Sequence, residues 1–134
     1  MDFSALTEAL RSWAERRGDI YGLAIVGSYG RGLARADSDI DIVVLTTDPS
    51  RYLVDDGWLA DFGAVRSVQH EDWGAVQSLR TFYEDGTEIE FGITSPSWAD
   101  VPLDAGTREV IAGGFRVVVD RGGLLSRLLA AGLE

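Results

Sequence analysis

The stretch Gly27-Ser28-Tyr29-Gly30-Arg31-Gly32-Leu33-Ala34-Arg35-Ala36-Asp37-Ser38-Asp39-Ile40-Asp41 decides the reading of this chain. It is framed by two apolar runs, Tyr21 to Val26 and Ile40 to Leu45, each of which predicts a short buried strand. The first run passes directly into Gly27-Ser28, with Gly30 and Gly32 close behind. Missing side chains at such a strand end let backbone N–H groups approach an anion, and the Ser28 hydroxyl adds a donor. At the other end stands Asp39-Ile40-Asp41. In an extended chain residues two apart share a face with Cα atoms ~6–7 Å apart, so both carboxylates point the same way. Two such carboxylates repel unless a cation lies between them, and hard oxygen ligands suit Mg²⁺ or Mn²⁺, which bridges to phosphates.

Outward from this segment the chain reads as one mixed α/β domain covering residues 1–134. Phe3, Leu6, Leu10, Trp13 and Ala14 recur at helical spacing and predict a first helix that Gly18 ends. Beyond Asp48-Pro49, residues 51–60 predict a short helix bearing Tyr52, Leu53, Trp58 and Leu59. Three β-like runs follow at 64–69, 78–83 and 87–93, the last two joined by a hairpin turn at Glu84-Asp85-Gly86, so a meander extends the first strands. A helix at 107–112, a strand at 115–119 and a closing helix at 124–131 complete the pattern.

Within the meander, Ile89, Phe91 and Ile93 alternate toward a core and leave Glu88, Glu90 and Gly92 on the opposite face. Glu90 is the preferred third carboxylate, with Glu88 the alternative. Arg31 and Arg35 lie in the polar connection and can neutralise a polyphosphate, Arg31 being the stronger candidate. Ser38 caps the turn or orients Asp39. His70, beside Glu71-Asp72, reads as a solvated loop residue at a strand end, and Trp13, Trp58, Trp73 and Trp98 read as packing.

The combination Gly-Ser, ten residues, Asp-x-Asp, with both halves on adjacent strand ends, resembles the DNA polymerase β-like nucleotidyltransferase superfamily. Asp48-Pro49, Tyr52-Leu53, Trp58-Leu59, Phe62-Gly63 and the run Phe82 to Gly86 leading into Ile89-Glu90-Phe91 extend the likeness. Together they look like the N-terminal catalytic domain of aminoglycoside 6-adenylyltransferases. The resemblance implies a mixed central sheet flanked by helices and transfer of a nucleoside monophosphate from ATP to a hydroxyl acceptor with release of pyrophosphate. It also implies Mg²⁺ or Mn²⁺ held by Asp39, Asp41 and Glu90, with Gly27, Ser28 and Arg31 on the nucleotide. Two departures stand out. Glu90 occupies a position where those enzymes commonly carry Asp, and their helical C-terminal domain, which helps bind the acceptor, has no counterpart in these residues. Three functions follow from the likeness: a small-molecule nucleotidyltransferase, an antitoxin-type enzyme that adenylylates a partner HEPN-type toxin, and a noncatalytic nucleotide-binding module.

Composition narrows the field. Twelve basic against 22 acidic residues give a net charge of −10, which opposes nonspecific nucleic-acid binding. Absence of cysteine removes disulfides, thiolate metal sites and a Cys nucleophile. No apolar run approaches the roughly 20 residues a membrane span needs, so the expectation is a cytoplasmic protein without a membrane partner.

Overall fold

The computed structural model describes residues 3–27, 39–72, 76–95, 115–123 and 125. The predicted helices at 107–112 and 124–131 lie outside these residues except for Leu125. Helix α1 (Phe3–Glu15) buries Leu6, Leu10, Trp13 and Ala14, the stripe that its i, i+4, i+7 spacing dictates. Its last turn leaves carbonyls without helical partners, and a distant side chain takes them up. Arg121 donates to the carbonyls of Arg17 at 2.8 Å and Glu15 at 2.9 Å, tying the end of the sheet to the end of the helix.

Six strands form one mixed sheet: β1 (Ile20–Val26), β2 (Ile40–Thr46), β3 (Val65–Asp72), β4 (Gln77–Tyr83), β5 (Glu88–Thr94) and β6 (Phe115–Asp120). Their spatial order is β3-β4-β5-β2-β1-β6. All neighbours are antiparallel except β2 and β5, which run parallel. The β3-β4-β5 meander is present as expected, and it joins the first strands through that parallel pair. The turn between β4 and β5 uses Gly86 at φ 89°, with the Thr87 N–H donating to Asp85 Oδ1 at 2.9 Å.

One face of the sheet carries the main core. Leu23, Ile25, Ile42, Val44, Ile89, Phe91 and Ile93 pack there against α1 and against Tyr52, Leu59 and Phe62. Aromatic rings knit this layer: Trp13 stacks on Trp58 at 4.9 Å, and Trp58 meets Phe91 edge-on at 4.9 Å. Trp13 and Trp58 are thus packing residues, as the sequence suggests.

Two expectations need correction. Residues 51–60 do not form one helix. Helix α2 (Pro49–Val54) starts on Asp48, whose side chain accepts from the Arg51 N–H, and a separate 3₁₀ helix spans Gly57–Phe62. The break falls where Asp55 Oδ1 accepts from the Gly57 N–H at 3.1 Å, a local turn that competes with helical bonding. Trp58 Nε1 then donates to the Tyr52 carbonyl at 3.0 Å, occupying an acceptor that a continuing helix would need. His70 is not in a loop either. Strand β3 continues to Asp72 because Gln69 to Asp72 pair with β4, and the exposed imidazole sits 3.2 Å from Gln77 Oε1. Among the described residues no helix is long and apolar enough to cross a membrane.

Candidate active site

Strand alternation sets the site on the sheet face opposite the main core, where Ala24, Val43 and Leu45 are also buried. The sheet register builds it in a row. Val26 of β1 opposes Asp41 of β2, Asp41 lies beside Glu90 of β5, Glu90 opposes Arg80 of β4, and Arg80 opposes Gln69 of β3. Asp39 sits one residue before β2 and is exposed, while Asp41, Glu88 and Glu90 are half-buried. The structure therefore brings together Asp39, Asp41 and Glu90. It also places Glu88 near Asp39, close enough for their carboxyl groups to interact.

Gly27 closes the row at the end of β1. Its φ of 72° lies in the left-handed region, and a Cβ on it would stand 2.9 Å from Asp41 Oδ2. Conformation and close approach both demand glycine, so the strand end abuts the Asp41 carboxylate directly. Ser28, Arg31, Arg35 and Ser38 lie outside the described residues, as do Tyr29, Trp73 and Trp98.

Arg80 is the residue that sequence reasoning missed. Its Nε donates to Glu71 Oε1 at 2.5 Å, its Nη1 to Glu88 Oε2 at 2.7 Å and its Nη2 to Glu90 Oε2 at 3.1 Å. Asp39 Oδ2 is 3.9 Å from Nη1. One guanidinium thus faces four carboxylates, from the two strands that flank β4 and from the segment before β2. A signal existed in the sequence: the hairpin turn at 84–86 fixes the pairing of Arg80 with Glu90 by counting back from the turn.

Electrostatics follow from the crowding. Burial, and then the adjacent Glu90 carboxylate, push Asp41 up to about 6 from 3.8, with Asp39 adding to the effect and Arg80 opposing it. Burial likewise raises Glu88, against the hydrogen bond from Arg80. The guanidinium is itself held more firmly protonated by its bond to Glu71. As the side chains stand, no three acidic or imidazole groups among the described residues are arranged to hold a metal ion. Glu88 and Glu90 each accept from Arg80 while keeping their contacts with Asp39 and Asp41.

A groove of about 340 Å³ at the other end of β2 is lined by Arg17, Arg51, Tyr52 and Trp58. Its two arginines are matched by Asp61 at 3.8 Å and Asp19 at 3.4 Å. Asp19 also accepts from Tyr52 Oη at 2.7 Å and Thr46 Oγ1 at 2.8 Å, a network that fastens α2 to the sheet. These groups are committed to structure.

The family model described as a nucleotidyltransferase domain matches residues 6–90, from α1 to the Glu90 carboxylate. The chain belongs to the nucleotidyltransferase domain family. Among solved structures, an aminoglycoside 6-adenyltransferase from Bacillus subtilis is similar with a TM-score of 0.61 and 16% identity, over 86% of this chain and 40% of that one. Cid1 in complex with the UTP analogue UMPNPP gives a TM-score of 0.48 and 20% identity, over 67% of this chain and 28% of that one. At these identities the likeness to the adenyltransferase is one of fold, and the chain spans about two-fifths of that relative's length. No curated protein matches the chain in sequence. The α+β fold expected from the Gly27 to Asp41 segment is the fold of this nucleotidyltransferase domain.

Proposed function

We propose that this domain transfers a nucleoside monophosphate, AMP from ATP, to a hydroxyl-bearing acceptor and releases pyrophosphate. The observation that supports this reading is the row itself: Asp41 beside Glu90 in register across parallel strands, with Asp39 one step ahead and Gly27 abutting Asp41. A structural salt-bridge patch does not require a glycine at φ 72° pressed against one of its acids.

The donor chemistry fits a divalent cation such as Mg²⁺ or Mn²⁺. The candidate ligands are hard oxygens, and a bound cation would offset both the burial and the Glu90 repulsion that raise Asp41. Asp39 and Asp41 would hold it, with Glu90 completing the set. The cation supplies charge neutralisation for the triphosphate and the departing pyrophosphate. Glu90, the carboxylate of the row on the neighbouring strand, would take the proton of the acceptor hydroxyl or orient it. The backbone at Gly27, with Ser28 and Arg31, would receive the distal phosphates, and rate would come from positioning and charge. The acceptor is a small molecule, as in the adenyltransferase with the similar fold, or a partner protein of the HEPN toxin type. Residues 1–134 would form one nucleotidyltransferase domain, working in the cytoplasm.

Thermal unfolding tests the nucleotide half. Wild type and Asp41→Asn are each heated with EDTA, Mg²⁺ alone, ATP alone, and both. Ligand at ~100-fold over Kd adds about 2.7 kcal/mol to the folded state, a rise of several degrees in a domain of this size. The rise should need metal and nucleotide together and vanish in Asp41→Asn. An equal rise in the variant would remove Asp41 from the site.

A further inference from the structure

The acids of the row have a cation already. Arg80 bonds Glu88 and Glu90 through separate nitrogens, lies 3.9 Å from Asp39, and is braced from behind by Glu71 on β3. This bracing distinguishes it from a surface arginine that samples many partners. The guanidinium is planar, carries five donors and stays protonated at any working pH, so its charge cannot be withdrawn. Three of its donors are spent on three carboxylates that approach from strands on both sides of β4. Glu90 is therefore shared: its carboxyl reaches Asp41, and committing it wholly to that side gives up the charge-assisted hydrogen bond from Arg80.

We propose that Arg80 is a resident counter-cation that competes with the divalent ion for Glu90, keeping the affinity for the bare ion low until nucleotide phosphates arrive with it. The proposal rests on the nucleotidyltransferase reading of the site and deepens it. A single positive charge fixed within hydrogen-bonding distance of a ligand repels an incoming divalent ion, and the half-buried setting limits screening. A triphosphate brings negative charge that offsets this repulsion, so ion and nucleotide enter together. Glu71 tunes the balance from the far side. Its carboxylate offsets the guanidinium and holds it back from the row, while Arg80 fixes where Glu90 points. Arg80 is thus a positioning residue, acting through Glu90.

The test is titration of Mn²⁺, without nucleotide, followed by electron paramagnetic resonance of the free ion. Wild type, Arg80→Gln, Arg80→Lys, Glu71→Gln and Asp41→Asn are compared. Arg80→Gln, which keeps an amide donor and removes the charge, should bind Mn²⁺ at least tenfold more tightly than wild type. Arg80→Lys should stay within about threefold of wild type, because it retains the charge. Glu71→Gln should bind several-fold more weakly, which gives a second arm of opposite sign should Arg80→Gln fail to fold. Unchanged or weaker binding in Arg80→Gln, with Mn²⁺ binding still lost in Asp41→Asn, would overturn the role of Arg80 alone. Mn²⁺ binding that survives unchanged in Asp41→Asn, or is absent from all five proteins, would overturn the metal site and this inference with it.

Discussion

Replacing Asp41 by Asn should stabilise the ligand-free protein while abolishing transfer. The Asp41 carboxyl ionises near 6 in the fold against 3.8 when unperturbed, because burial and the Glu90 carboxylate disfavour its charge. Each pH unit between those values is worth roughly 1.4 kcal/mol, so ionising Asp41 in the fold costs about 3 kcal/mol in full. The group is only half-buried, and solvent screening reduces this to about 1–2 kcal/mol. The sign follows from linkage: with a folded value above the unfolded one, the stability contributed by Asp41 is complete below about pH 3.8 and lost as pH rises through about 6. Asparagine has the same shape, cannot ionise, and can donate its amide to Glu90. At pH 8 in EDTA the variant should melt about 3–8 °C above wild type, and the difference should shrink toward zero near pH 4. Calorimetric scans of both proteins from pH 4 to pH 8 measure this. A variant less stable than wild type at pH 8, or a difference that does not change with pH, would refute the electrostatic reasoning.

Three further outcomes are expected. Glu90→Gln should lower nucleotidyl transfer by at least a hundredfold and Glu88→Gln by tenfold or less, since Glu90 alone of the two lies in register with Asp41; a side-by-side pyrophosphate-release assay decides it. Gly27→Ala should cost about 1–3 kcal/mol by denaturant unfolding and weaken Mg-ATP binding, because its Cβ would press on Asp41 Oδ2 from a left-handed backbone. Arg121→Ala should cost about 1–2 kcal/mol and leave Mg-ATP affinity unchanged, because it frees the Glu15 carbonyl at the end of α1, removes one of two donors to the Arg17 carbonyl just beyond it, and follows the edge strand β6; hydrogen exchange should show the last turn of α1 opening first.

Local patterning carried much of this architecture. The apolar runs flanking Gly27 to Asp41 became β1 and β2, and the alternation of Ile89, Phe91 and Ile93 put Glu88 and Glu90 on the shared acidic face. Those features depend on near neighbours, and periodicity reads them. The parallel union of β2 with β5 depends on a long crossover, so the contact between Asp41 and Glu90 rested on family likeness until the register was seen. The division of residues 51–60 turned on one side-chain bond, from Gly57 to Asp55, that no apolar pattern records. Arg80 lies in the run 78–83 with nothing local to single it out, and its meaning comes from Glu71, Glu88 and Glu90 converging on it from two other strands.

On the proposed reading, Asp39, Asp41 and Glu90 together hold the divalent cation that meets the nucleotide. Anomalous diffraction from crystals grown with Mn²⁺ and a nonhydrolysable ATP analogue tests it most directly. A manganese peak is expected within about 2.2 Å of carboxylate oxygens of Asp39 and Asp41, with Glu90 released from Arg80 and turned toward it. A bound analogue whose manganese lies away from these side chains, with Glu90 still on Arg80, would contradict it.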